Sequence, residues 1–340
     1  HYNRKRIIVF TQSLLAICSF GLAALSLAQG SLALVYLCLF GIGVARAFNS
    51  PAASTLLPTT VPPEVFTSAA TWMSSSWQIA SIIGPAFAGW LVAQLNSVAE
   101  LYVLDAVAAL IFLTLVLVIK GRPLALSKKA ATLDSLKEGI RFIRDTRVLL
   151  AAITLDMFAV LFGGAVALLP VYATDILHVG AEGLGWMSAA PSIGALIMAV
   201  VIARFVVFRN AGRTLLIAVA GFGVATIIFG ISTSFWLSLL MLFTLGALDN
   251  ISVVIRSTLV LTLTPDEMRG RTSAVNSIFI SASNELGSFE SGFTARLFGP
   301  VLAVIGGGVG TILVVLAIAR KWPELRNLKT LDAPEKLKAA

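Results

Sequence analysis

Long apolar runs and short polar connections alternate along almost the whole of this chain. Ten runs stand out, at about 7–28, 33–57, 67–94, 101–119, 149–172, 184–204, 214–232, 236–262, 273–297 and 301–319. Crossing about 30 Å of hydrocarbon takes about 20 apolar residues in a helix. The pattern therefore predicts ten transmembrane α-helices and no strands. One connection is long, from Lys120 to Val148. Within it Leu133, Leu136, Ile140 and Ile143 recur at helical spacing, with Lys137, Glu138, Arg141, Arg144 and Asp145 between them. That spacing predicts an amphipathic helix on the cytoplasmic face, with or without a role beyond linking. It divides the chain into a four-span bundle (1–120), a linker (121–148), a six-span bundle (149–320) and a charged tail (321–340) that is expected to be loose.

Charge fixes an orientation. All but three of the 25 Lys and Arg residues lie before the first run, in the long loop, or in the connections that follow the sixth, eighth and tenth runs. The connections at the other ends carry Glu100, Asp175, His178 and Glu182. By the positive-inside rule both termini are cytoplasmic. Composition agrees: 58% of residues are hydrophobic, 12% are charged and mean hydropathy is +0.93, against about 45–50% and about 25% in soluble chains. The net charge of +8 sits in these flanking loops, so it does not point to nucleic acid. Cys18 and Cys38 lie inside apolar runs and suggest neither a disulfide nor a metal site. Gly306-Gly307-Gly308-Val309-Gly310 lies in a span with no Lys-Ser/Thr after it, so no ATP is implied. No cofactor is expected, and no catalytic constellation supports an enzyme.

The three remaining basic residues, Arg46, Arg256 and Arg296, fall within spans, as do Asp105, Asp156, Asp249, Glu285 and Glu290. A charge at mid-bilayer costs at least about 2.5–3.5 kcal/mol, so each marks a function or a pairing. Arg46, Asp249 and Glu285 are deepest and are the candidates for proton coupling, with Asp156 beside them. Arg256, Arg296 and Asp105 lie nearer span ends and read as structural pairs or snorkelling groups. A partly desolvated carboxylate with a movable Arg partner changes its proton affinity with conformation. Gly84-Pro85-Ala86-Phe87-Ala88-Gly89 gives the third span a kink and a small-residue face, and Gly287, Ser288, Ser291 and Gly292 repeat that face in the ninth. A shift of 203 residues superimposes Gly43 on Gly246, Arg46 on Asp249, Pro62 on Pro265, Glu64 on Glu267, Gly84 on Gly287 and Gly89 on Gly292. Internal repeats of this kind are common in transporters, with the site at the repeat interface.

These residues resemble the major facilitator superfamily, whose members have twelve spans in two six-span halves. Tyr2-Asn3-Arg4-Lys5-Arg6 is similar to the end of its loop motif between spans two and three, with Asn3 in place of a glycine. Arg46-Ala47-Phe48-Asn49-Ser50 resembles the fourth-span motif whose Arg is linked to proton transfer, with Asn49 and Ser50 in place of Gln and Gly. Gly84-Pro85 through Gly89 resembles the fifth-span antiporter motif. The turn Pro265-Asp266-Glu267-Met268-Arg269-Gly270-Arg271 fits as well. Ser283-Asn284-Glu285-Leu286-Gly287 with Glu290-Ser291-Gly292 is similar to the branch of enterobactin exporters and macrolide-efflux-like proteins.

The resemblance implies an all-α membrane protein with a two-bundle transporter fold, ten spans being present of twelve and the first two missing. It implies a monomer in a bacterial inner membrane that expels a small amphipathic molecule, a siderophore or drug, in exchange for protons by alternating access. Arg46 would tune Asp249 or Glu285. Asp156, Asn49 and Asn284 would line the path. Gly84, Pro85, Gly89, Gly287 and Gly292 would form the faces that gate it, and Arg4, Lys5 and Arg6 would act in the cytoplasmic loop. A proton-linked importer of the same fold and a non-transporting membrane scaffold are the alternatives.

Overall fold

A computed structural model describes residues 4–54, 60–62, 65–95, 97–118, 133–205 and 208–331. Among them all regular structure is helical. This is what lipid demands, since a helix satisfies its own backbone groups where no water can. Contacts divide the chain into two compact units, His1–Lys128 and Lys129–Ala340.

The first unit holds α1 (Arg4–Leu27), α2 (Leu32–Ser54), α3 (Phe66–Leu95) and α4 (Ala99–Val118). α1 packs extensively against α4 and α2, while α3 makes slight contact with α4. Polar side chains tie α1 to its neighbours. Ser19 Oγ donates to Asp105 Oδ2 at 2.6 Å, and Thr11 Oγ1 donates to Asn49 Oδ1 at 3.1 Å. Asp105 thus proves to be a helix-joining group.

The second unit opens with α5 (Leu133–Asp145), the helix expected in the long connection. It does not lie free. Ile143 is buried with Leu149, Ile153, Val260 and Val275, Glu138 pairs with Arg271, and a methyl group on Gly139 would stand 3.0 Å from the Arg271 carbonyl oxygen. α6 (Arg147–Phe162) follows and breaks at Gly163 into a 3₁₀ turn (Gly164–Leu168), one α turn (Leu169–Val171) and a π turn (Tyr172–Ile176). Then come α7 (Gly180–Phe205), α8 (Ala211–Ile231), α9 (Phe235–Leu263), α10 (Asp266–Phe298) and α11 (Pro300–Lys321). α9 packs on α7 and α8, α8 on α11, and α10 on α6.

Nine of the ten sequence-predicted spans are long and apolar enough to cross a membrane among the described residues. The exception is the run at 273–297. It lies within α10, whose 33 residues would reach about 50 Å at 1.5 Å per residue, but whose Asn284, Glu285, Ser288, Glu290 and Ser291 dilute its hydropathy.

The tail departs from expectation. Through Leu331 it is docked rather than loose. Leu325 is fully buried, and Leu328 and Leu331 pack on the core formed by α6, α8, α9 and α11. Ala211 N–H donates to the Lys329 carbonyl and Gly212 N–H to that of Leu328, both at 3.1 Å. The tail carbonyls thereby satisfy amide groups that every helix start leaves bare. Its apolar residues at 325, 328 and 331 provide the drive, which a reading based on its charges overlooks.

Candidate functional site

The second unit contains a cavity of about 350 Å³. The break in α6 makes one wall, with Gly163, Gly164, Val166 and Ala167. Pro191 of α7, Phe222 of α8, and Leu245, Gly246 and Asp249 of α9 make others, and Asn284 and Ser288 of α10 complete it. Three glycines let the walls close up. A methyl group on Gly246 would overlap the Pro191 carbonyl, and one on Gly164 would overlap Ser291 Oγ. On Gly287 it would stand 2.8 Å from the Val160 carbonyl oxygen. Only residues without a Cβ permit such approach between helices.

Asp249 is the one acidic group of this lining. Among the described residues it has no ion-pair partner, whereas Asp156 does: Arg256 of α9 pairs with it, and both side chains are nearly inaccessible. Asp156 and Asp249 also share a smaller chamber of about 20 Å³, walled by Ala159, Val160, Val219, Phe222, Leu248 and Ser252. Of the sequence-predicted site residues, Asp249 and Asn284 therefore meet at one cavity, with Asp156 in the adjoining chamber.

The others lie elsewhere. Glu285 is exposed on α10 and does not line the cavity. In the first unit Arg46 is exposed, and among the described residues it has no ion-pair partner. Asn49 accepts hydrogen bonds from Thr11 and Gln12. Pro85 lies inside α3, Gly84 faces open space and Gly89 is buried. Gly292 also faces open space. Lys5 Nζ donates to the Leu117 carbonyl at 2.7 Å, and Arg6 is exposed. Arg4 begins α1, while Tyr2 and Asn3 fall outside the described residues.

Two features of the cavity escape the sequence reading, the α6 break and Pro191. Adjacent glycines inside an apolar run, and a proline in a span, are the signals that could have found them.

The sequence profile of the Major Facilitator Superfamily matches residues 1–287 and 165–339 of the chain. The chain belongs to this family, and is a multi-pass membrane transporter rather than an enzyme. It is 25% identical over 329 residues to the enterobactin exporter EntS of Escherichia coli K12, covering 96% of this chain and 79% of that protein. EntS of Citrobacter koseri is similar to the same extent. Among solved structures, a peptide transporter of the POT type aligns with a TM-score of 0.71 at 13% identity, covering 97% of this chain and 82% of that one. A D-xylose–proton symporter aligns with a TM-score of 0.69 at 14% identity, over 97% and 83%. At such identities the structures speak for the fold alone.

Proposed function

We propose that this protein is a proton-driven exporter of small amphipathic molecules, a siderophore or a drug. It works by alternating access across a bacterial inner membrane, as a monomer with both termini cytoplasmic. The observation that carries the reading is Asp249, a carboxylate with no ion-pair partner among the described residues, in the wall of a cavity that Asn284 and Ser288 also line. A carboxylate among apolar walls binds either a proton or a cationic group, and a change of surroundings decides which. A proton antiporter uses such a group by taking up a proton facing one side and releasing it facing the other. The similarity to enterobactin exporters supports the outward direction and the siderophore class.

In this scheme Arg46 and Glu285 assist Asp249 when the two halves of the fold move against each other. Asn49 and Asn284 line the path. The small faces at Gly84, Pro85, Gly89, Gly287 and Gly292 limit leak, and Arg4, Lys5 and Arg6 act at the cytoplasmic loop. The second reading is proton-linked import on the same fold, the activity named for a D-xylose–proton symporter.

Everted membrane vesicles carrying the protein test both. Export predicts inward accumulation of ethidium or enterobactin that collapses when the proton gradient is abolished, and that Asp249→Asn uncouples. Accumulation indifferent to the gradient would overturn antiport. Efflux of preloaded cargo down the proton gradient would favour import.

A further inference from the structure

We propose that the buried Asp156–Arg256 pair is a proton-released clamp between α6 and α9, reached from the transport cavity through the chamber behind Asp249. The inference rests on the reading of Asp249 as the coupling carboxylate and assigns the step that follows it.

Position comes first. Asp156 projects from α6 and Arg256 from α9, with side chains only 8% and 6% exposed. A buried ion pair is a poor source of stability, since well-packed apolar residues often serve as well. The pair joins two helices that both line the cavity, α6 through Val160 and α9 through Leu245, Gly246 and Asp249. Arg256 lies two turns beyond Asp249 along α9.

The chamber supplies the route. Its volume of about 20 Å³ exceeds the roughly 10–15 Å³ a single water needs. Three residues of its wall, Asp156, Asp249 and Ser252, carry polar side chains, and a buried water uses two to four polar partners. Asp249 belongs to the walls of both spaces. The charged groups that meet here are Asp156 from α6 and Asp249 and Arg256 from α9. α8 contributes only apolar Val219 and Phe222.

The step balances. A proton held on Asp249 passes to the chamber water as that water gives one of its own protons to Asp156. Asp249 becomes the carboxylate, Asp156 becomes the neutral acid, and only O–H bonds change. Neutral Asp156 no longer holds the guanidinium. α6 and α9 are then free to shift against each other. Asp156 and Arg256 act as positioning residues, and cargo touches neither.

The test uses the protein reconstituted in liposomes with ethidium as probe. Replacing the pair together, Asp156→Leu with Arg256→Met, should keep a folded elution profile and gradient-free ethidium exchange. It should lose gradient-driven accumulation by at least about tenfold. Arg256→Lys keeps the charge but weakens the pairing geometry, and should move the pH midpoint of accumulation toward higher pH. Wild-type accumulation and pH profile in both variants would overturn the clamp. So would an unmoved midpoint in Arg256→Lys if the double variant fails to fold. Asp249→Asn gives the separate control, for if it leaves coupling intact the reading of Asp249 falls. One readout needs no cargo, the infrared band of protonated carboxyls in acid-minus-neutral difference spectra. Asp249→Asn should remove part of that band and Arg256→Lys should alter the rest. A band that only Asp249→Asn changes would sink the proposal.

Discussion

Gly43 and Gly246 stand at equivalent points of the 203-residue repeat, and their surroundings differ. Around Gly43 no described atom lies within 4 Å of where a Cβ would be, whereas at Gly246 the Pro191 carbonyl fills that space. Gly84 and Gly287 differ the same way, the first facing open space and the second pressed on Val160. So do the charges at repeat-related positions: Arg46 is exposed, and Asp249 lines a cavity. Repetition in sequence therefore marks equivalent places along the fold without marking equal constraint. Packing within its own unit holds the second copy at these two glycines, whereas at the third pair the order reverses, Gly89 being buried and Gly292 facing open space.

The sharpest way to break this contrast is to delete a deep charge from each unit. Asp156→Ala strands Arg256 in an apolar interior, and should cost about 3–5 kcal/mol, seen as loss of the monodisperse peak in fluorescence-detected size exclusion. Arg46→Ala should elute and melt like the parent while impairing transport. Next comes Gly246→Ala, which forces α7 and α9 apart at Pro191 and should cost roughly 1–3 kcal/mol, against no change in melting for Gly43→Ala. If both melt alike, the contrast between the copies is wrong. Gly287→Ala should be milder, about 1 kcal/mol, because its neighbour at 2.8 Å needs a smaller shift. Gly84→Ala should leave melting unaltered and show only as proton leak in vesicles.

The smallest effect concerns Glu324, whose hydrogen bond from Arg147 Nη1 at 2.8 Å holds its carboxyl below the usual range. A depressed acid contributes stability above its unfolded value and loses it as pH falls through the folded one. Wild type and Glu324→Gln should therefore differ slightly in melting at neutral pH and converge in acid.

Much of the architecture was legible from hydropathy because lipid leaves the backbone few choices. Nine of the ten runs became helices of spanning length and composition, with ends displaced by a few residues. The run within α10 was harder, since residues facing a cavity in a bundle look like those facing water. Asp156 and Arg256 were each visible as buried charges. Their partnership was not, because 100 residues of chain separate them and no local pattern encodes a contact between helices. The docking of Leu325 was hidden for the opposite reason: a few apolar residues among charges carry too little signal to outweigh their neighbours.

The carbonyls of Leu328 and Lys329 complete the amide start of α8 at Gly212 and Ala211, and this has a bearing on biosynthesis. Nearly a hundred residues must leave the ribosome after α8 ends at Ile231 before the Lys329 carbonyl can complete its first turn. A translation product that stops short of residue 328 lacks both carbonyls and leaves that turn without its acceptors.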